Sequence, residues 1–195
     1  MNKVQYFFST VTLLLFILSE AYAQSEIPLL PIDSGTGKIT YSDIVYVDSL
    51  VKKQELFLRA REWFAKTYKS STNVIQMEDK ESGEIIGKAL MKVYHKALGT
   101  YYPSGHINYT ISIYLKEGKY RYEITHFYHT GQITSHGATI PDYGSCENMI
   151  NTTDRTMGIS HQKMYNYYLE QMDDKTKALI ADLKVAMASG KKSDW

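Results

Sequence analysis

The stretch DSGTGKIT, residues 33–40, contains a Gly-Lys pair of the kind that closes phosphate-binding loops. Such a loop reads Gly-x-x-x-x-Gly-Lys-Ser/Thr, follows a strand and opens a helix, and its hydroxyl holds a magnesium ion. Here the residue five before Gly37 is Ile32, and the residue after Lys38 is Ile39. The stretch also follows a proline-bearing segment and precedes a β-rich one. We therefore interpret it as a turn that leads into a strand.

The nucleophile candidates lack their companion residues. Cys146 is the only cysteine, so it cannot form an intramolecular disulfide. Its thiolate would need a neighbouring histidine to act on a carbonyl, and no cysteine-protease signature surrounds it. No Gly-x-Ser-x-Gly elbow is present, and Ser160-x-x-Lys163 lacks the other motifs of serine–lysine enzymes. We predict no catalytic residue among these groups.

The histidines do not show the spacing of a metal site. His126 and His129 are three residues apart, which puts them on opposite faces of a strand. His95, His106 and His136 fall at strand ends or in loops. The chain has neither a His-Glu-x-x-His pattern nor a pair of cysteines. We therefore predict no metal ligand and no cofactor, since a metal site would need distant residues to converge.

Carboxylates gather around the turn at Ser82-Gly83. A pair of carboxylates can act as acid and base on a glycosidic bond, which keeps an enzyme acting on an envelope or extracellular polymer as the alternative function. Charged residues beside a tight turn are, however, expected to be solvated. The carboxylates concerned are Glu78, Asp79, Glu81 and Glu84.

Hydrophobic periodicity predicts the elements that position these residues. Residues 53–68 repeat apolar side chains at helical spacing, and residues 109–115 alternate apolar and polar side chains as a half-buried strand does. Two C-terminal helices are predicted, the first capped by Ser160 and the second by Asp173 or Asp174. Further strands are predicted at 37–47, 74–81, 85–95 and from 120 onward, with loops at 99–105 and 137–158.

The order β-α-β-β-β-β-α predicts an α+β domain whose helices cover one face of an antiparallel sheet. The other face would carry Thr110, Ser112, Tyr114, Lys116, Arg121, Glu123 and Phe127, joined by Lys88, Lys92 and Tyr94. Aromatic and cationic side chains together can stack on a ligand and hydrogen-bond to it. We predict ligand contacts for Tyr114, Lys116, Arg121, Tyr94 and Lys92. The alternatives are a solvated face or one covered by residues 137–158.

The amino terminus is typical of a secretory signal peptide. Lys3 precedes a short apolar run at 11–18, and Ala21-Tyr22-Ala23 predicts cleavage between Ala23 and Gln24. Cys146 is far from that site, so we expect no cysteine-anchored lipid. We predict export to the periplasm or cell envelope, with residues 24–36 a linker, 37–189 one domain and 190–195 a tail. No later run is long enough to span a bilayer.

Three segments resemble a bacterial family of unknown function that is described as having a TATA-binding-protein-like (TBP-like) fold and occurs in exported proteins of Gram-negative bacteria. They are TGKITYSDIVYVD (36–48), RAREWFAKTY (59–68) and VIQMEDKESGEIIGKALMKV (74–93). The resemblance spans residues 32–187 and is strongest over 38–93. It implies a curved antiparallel sheet with helices on one face, brings no catalytic residues, and covers residues 137–158 least well.

Composition separates the classes of function. The formal net charge is +1, whereas nucleic-acid binding shows a basic stripe, so we expect no nucleic-acid partner. We predict a non-enzymatic binding or scaffold module that uses its open sheet face or an edge strand, with an envelope protein or polymer as partner. The 17 tyrosines suit both half-buried strands and binding surfaces. The sequence leaves the oligomeric state open.

Overall fold

The computed structural model describes residues 28–97, 99–134, 137–150 and 159–188. Within them the long strands are β1 (Tyr41–Tyr46), β2 (Ile75–Asp79), β3 (Glu84–Ala97), β4 (Thr100–Lys116) and β5 (Lys119–Thr130). The short strands are β6 (Gln132–Ile133), β7 (Thr139–Ile140) and β8 (Gly144–Ser145). The helices are α1 (Lys53–Thr67), α2 (Ser71–Val74), α3 (Cys146–Ile150) and α4 (Ile159–Ala188). The signal peptide with its Ala23–Gln24 cleavage site and the 190–195 tail lie outside the described residues.

The long strands form one antiparallel sheet in the order β1-β5-β4-β3-β2, and β8 pairs with the end of β5. β4 is longer than predicted, because residues 100–105, predicted as part of a loop, form the beginning of this strand. Pro103 lies opposite Tyr94, and the register shifts just beyond that pair. A proline is tolerated there because Tyr94 directs its own N–H and C=O away from β4, so no ladder bond is lost.

Helices α1 and α4 pack against one face of the sheet and form the core with it. Alternation along β4 brings Tyr109, Ile111, Ile113 and Leu115 to that face, as the period of two predicts. The buried residues of α1 are Leu56, Phe57, Ala60, Trp63 and Phe64, and those of α4 include Tyr165, Tyr168, Leu169, Met172, Leu183 and Met187. The leucine, isoleucine, phenylalanine and methionine side chains among them each contribute roughly 1.5–3 kcal/mol by burial.

A single helix, α4, replaces the two predicted C-terminal helices. Asp173 does not cap a second helix. Its carboxylate accepts a hydrogen bond from the Tyr41 hydroxyl at 2.8 Å and one from Lys177 Nζ at 2.7 Å. Acidic residues that suit a helix start also tolerate the middle of a helix when tertiary partners hold them. The sequence pattern did not show those partners.

Two other predicted irregular segments are ordered. Residues 28–36, predicted as linker, fold back on the domain, where Leu30 is buried and Ile32 bridges to Ile39. The stretch at 33–40 is a turn, as predicted: Asp33 Oδ1 accepts from the Thr36 N–H, and Gly37 has φ +68°. Within residues 137–150, part of the predicted loop, lie β7, β8 and α3.

None of the described helices is both long and apolar enough to cross a membrane.

Candidate functional site

The second face of the sheet remains accessible to solvent along much of its length. Arg121, Lys116, Lys88 and Lys92 are exposed, while Thr110, Tyr114 and Glu123 are half-buried. Ser112, at the centre, is buried. Residues 137–150 therefore leave the charged ends of this face uncovered. The face carries both cationic and aromatic groups, as predicted.

Tyr114, Lys116 and Arg121 come together at one end of this face. Tyr114 pairs with Arg121 across β4 and β5, and the guanidinium carbon lies 4.4 Å from the centre of the tyrosine ring. Lys116 pairs with Lys119 one step further. These residues line a concavity of about 400 Å³, whose full lining is Ile44, Tyr114, Lys116, Lys119, Tyr120 and Arg121. We call these six residues the Tyr114 site; they include three cations and no carboxylate.

The structure does not bring Lys92 and Tyr94 to the Tyr114 site. Lys92 pairs with His106 and Tyr94 with Pro103, so along β4 they lie about 27 and about 37 Å from Tyr114 at 3.3–3.4 Å per residue. Tyr94 instead contacts α4, where Lys175 Nζ is 5.6 Å from its ring centre. The long extension of β3 and β4 separates the two groups. The prediction of a loop at 99–105 did not anticipate this extension.

Lys92 belongs to a second concavity, of about 1120 Å³, beside β3. Its cationic lining residues are Lys69, Lys88 and Lys92, and His126 also contributes. Hydroxyl and amide groups of Ser70, Asn73, Asn108 and Thr110 line it as well, and no carboxylate does. The sequence marked Lys88 and Lys92 as members of the open face but gave no sign of Lys69, which follows α1.

Phe127 is not on the open face, contrary to the prediction. It is buried, with its ring centre 5.8 Å from that of Tyr41 and 6.1 Å from that of Tyr109. The reason is a β-bulge: the β4–β5 register shifts between Asn108 and Thr110, and His126 has φ +59°. A bulge adds one residue and inverts the alternation beyond it. Before it the even-numbered residues of β5 face the core, and after it Phe127 and His129 do.

A third concavity, of about 720 Å³, contains a hydrogen-bonded histidine and serine that sequence reasoning missed. His95 Nδ1 lies 2.6 Å from Ser104 Oγ. Ser104 is fully buried, and its carbonyl accepts a hydrogen bond from His129 Nε2 at 2.9 Å. No described carboxylate orients the His95 ring, so the pair lacks the third member of a triad. The partners lie nine residues apart across a hairpin, and no local pattern signals such a contact.

The remaining nucleophile and metal candidates gain no reactive geometry. Cys146 is buried, and desolvation, aided by the charge of Glu147, raises the pKa of its thiol to about 12. The thiol therefore stays protonated and is a poor nucleophile at neutral pH.

Of the four carboxylates at the 82–83 turn, Glu78 pairs with Arg61 and Asp79 accepts from the Glu81 and Ser82 N–H groups. Among the described residues, no three His, Cys, Asp or Glu side chains could together hold a metal ion.

Comparison with known proteins identifies the fold and shows similarity to one family. The chain is similar to the crystal structure of a DUF4468 family protein from Bacteroides ovatus ATCC 8483, with 17% identity and a TM-score of 0.57 over 86% of this chain and 95% of that one. A TBP-like protein from Parabacteroides distasonis ATCC 8503 gives 16% identity and a TM-score of 0.56 over 80% and 97%. No curated protein matches the chain.

The family model described as "Domain of unknown function (DUF4468) with TBP-like fold" matches residues 41–130, which run from the start of β1 to the end of β5. The match confirms the resemblance seen in the sequence and the predicted α+β architecture. The similarity covers 95% and 97% of the two solved chains, so the shared fold extends over most of each. Residues 41–130 are therefore similar to the DUF4468 family, and the fold of the chain is TBP-like.

Proposed function

We propose that this protein is a non-enzymatic binding module of the cell envelope that holds an acidic polymer on the open face of its sheet. One observation carries the proposal: the Tyr114 site presents Lys116, Lys119 and Arg121 around a concavity that no carboxylate lines. Exposed cations that are not neutralised by neighbouring carboxylates attract carboxylate, phosphate or sulfate groups.

The stacking of Arg121 prepares it for such a ligand. A guanidinium presents its donors in a fixed planar fork, and its contact with the Tyr114 ring, at 4.4 Å, restricts the side chain before binding. Less side-chain entropy is then lost when an oxyanion is bound. The site is solvent-exposed, so each ionic contact contributes only up to about 1 kcal/mol. Useful affinity therefore requires several contacts along one ligand, which favours a polymer over a single small anion.

The amino-terminal sequence supports the location in this proposal. A signal peptide cleaved after Ala23 would deliver the domain to the periplasm or envelope. Acidic polymers accessible there are the ligands that this face suits.

The alternative, an enzyme acting on an envelope polymer, draws its support from the His95–Ser104 hydrogen bond. That support is weaker, because Ser104 is fully buried and no described carboxylate orients its partner His95. Replacement of Ser104 by Ala in the mature chain separates the two functions. The binding module keeps its affinity for the acidic polymer, whereas an enzyme would lose its turnover of the polymer.

The direct test uses one polymer backbone with and without charge. We expect carboxymethyl-dextran to bind the mature chain at low salt and plain dextran not to bind, as measured by calorimetry. The triple variant Lys116→Gln, Lys119→Gln and Arg121→Gln should lose about tenfold or more in affinity, equivalent to about 1.4 kcal/mol. Binding should also weaken at 0.5 M salt, since exposed charges are screened.

Lys66→Gln is the control for the loss of a lysine away from the sheet face. Lys66 lies on the exposed side of α1 and pairs with Glu62 at 2.9 Å, so it is not on the sheet face. Its loss should leave polymer affinity unchanged. Equal binding of the charged and uncharged dextrans, or an equal loss in Lys66→Gln, would contradict the proposal.

A further inference from the structure

We propose that the outer edge of β3 accepts a short acidic peptide as an added strand, in the gap between β2 and α4. This inference goes beyond the polymer site, because the gap and the Tyr114 site share no lining residue. The partner is a segment of extended polypeptide in which acidic and apolar side chains alternate.

The outer edge of β3 is paired at both of its ends. β2 covers it from Glu84 to Gly87. At the other end, a side chain of α4 takes the place of a strand: Gln171 accepts from the Tyr94 N–H at 3.1 Å and donates to the Tyr94 carbonyl at 2.7 Å. Lys175 Nζ donates to the Lys92 carbonyl at 2.7 Å.

Between these two covers lies a gap four residues long, from Lys88 to Met91. The even-numbered residues of β3 direct their N–H and C=O groups outward, as the bonds of Lys92 and Tyr94 to α4 show. The odd-numbered residues direct theirs toward β4, as the bond from the Leu115 N–H to the Gly83 carbonyl shows. Gly87 bonds to β4, so its pairing with Ile75 is closed by the flanking groups and already engages the Lys88 N–H. The Lys88 carbonyl and both backbone groups of Leu90 therefore face the gap, and no described strand pairs with this edge of β3 beyond Gly87. An edge left open in this way is a template for another strand.

The gap opens into the 1120 Å³ concavity, whose lining decides which peptide fits. On the open-face side stand the side chains of Lys88 and Lys92, with Lys69 nearby and no carboxylate in the lining. On the helical side stand Val74 and Ala89, which are apolar. Successive side chains of a strand point to opposite faces. A peptide with every second residue acidic would place its carboxylates against the lysines and its other side chains against the apolar wall.

The length of the gap sets the length of the partner. Four residues of strand span about 13 Å, so three to five residues of the peptide would pair with β3. The Lys88 carbonyl and the N–H and carbonyl of Leu90 supply one donor and two acceptors to this pairing. A polysaccharide could meet the lysines but has no backbone that repeats this pattern of donors and acceptors.

The test uses the intact mature chain and the heptapeptide Thr-Glu-Val-Glu-Val-Glu-Val with both termini blocked. Two further peptides carry N-methyl groups, one on the even-numbered residues and one on residues 3, 5 and 7. All three have the same charge and side chains. Edge pairing requires the N–H groups of one set only, so we expect one methylated peptide to lose at least tenfold in affinity and the other to bind like the parent.

Amide hydrogen exchange supplies a second, site-resolved readout. The parent peptide should slow the exchange of the Leu90 amide at least tenfold, while the already bonded Lys88 and Ala89 amides change little. The double variant Lys88→Gln and Lys92→Gln should weaken peptide binding, and Lys66→Gln should not. The Lys116, Lys119 and Arg121 triple variant should still bind the peptide, which separates this inference from the polymer site. Equal binding of both methylated peptides, or no protection at Leu90, would overturn it.

Discussion

Tyrosine hydroxyls supply much of the polarity inside the core. The Tyr41 hydroxyl donates to Asp173, and the hydroxyls of Tyr68 and Tyr109 lie 3.1 Å apart. Burial raises the pKa of Tyr41 and Tyr68 far above the ordinary value, so both stay neutral donors or acceptors. The abundance of tyrosine therefore reflects, in large part, a core built from amphipathic rings, while Tyr46 and Tyr128 remain exposed.

Buried His129 should make the stability of the fold pH-dependent. Desolvation lowers the pKa of its imidazole, an effect that His106 reinforces and that the Ser104 carbonyl and Asp142 oppose. The unfolded chain, with a histidine pKa near 6.5, then binds more protons than the folded state. The stabilising contribution is complete above about pH 6.5 and is lost as the pH falls through the lowered folded pKa.

Urea denaturation at pH 7.5 and 5.5 measures this effect. We expect the wild-type free energy of unfolding to be lower at pH 5.5, and we expect the difference to shrink in His129→Gln. His126→Asn is the control, because His126 is exposed and asparagine tolerates its φ of +59°. If both variants keep the wild-type difference between the two pH values, His129 is not its source.

At the scale of elements, the approach of α1 to β3 depends on a residue without a side chain. A Cβ atom built on Gly87 would lie 2.7 Å from Phe64 Cε1 and 3.2 Å from Val74 Cγ1. Phe64 is fully buried and cannot easily move. Gly87 thus lets the first helix and the α2–β2 junction sit directly on the sheet.

We expect Gly87→Ala to destabilise the protein by roughly 1–3 kcal/mol, because overpacking forces neighbouring side chains or the helix to shift. The matched control is Gly35→Ala, where a Cβ would meet only Asp33 Oδ1, at an ordinary 3.5 Å. That change should be neutral or slightly stabilising, since it restricts the unfolded chain. Urea midpoints compare the two variants, and a Gly87→Ala midpoint equal to that of the control would refute the steric account.

The individual elements also show which parts of the fold local sequence patterns can predict. Periods of 3.6 and 2 predicted α1 and the central part of β4, because each element buries one face. They could not predict the first residues of β4, since Pro103 and Gly105 are typical of loops and only the long partner β3 holds them in a strand. Local patterns also could not predict the burial of Phe127, because it follows from a bulge. Nor could they predict the role of Asp173, because its partner Tyr41 is 132 positions away. For the site, local patterns grouped Tyr114, Lys116 and Arg121 but misplaced Tyr94.

At the scale of the whole molecule, α4 ties the separate parts of the domain together. Its 30 residues span about 45 Å. It bonds to the edge of β3 through Gln171, to β1 through Asp173 and Lys184, and to α1 through Asp182, which accepts from Trp63 Nε1 at 2.7 Å. Both outer regions of the sheet are therefore anchored to one helix, which supports the open face rigidly from behind.

This connectivity predicts that the helical layer and the sheet unfold in one step. The chain has two tryptophans, so Trp195→Phe leaves Trp63, at the contact of α1 with α4, as the sole fluorescent tryptophan. In urea, the Trp63 fluorescence and the far-ultraviolet circular dichroism should change with the same midpoint, as a two-state transition requires. Asp182→Ala removes the partner of the Trp63 indole. It should lower both midpoints together and reduce the free energy of unfolding by about 1–3 kcal/mol. A fluorescence midpoint clearly below the dichroism midpoint would mean that α4 detaches first, and the sheet face would then not be rigidly supported from behind.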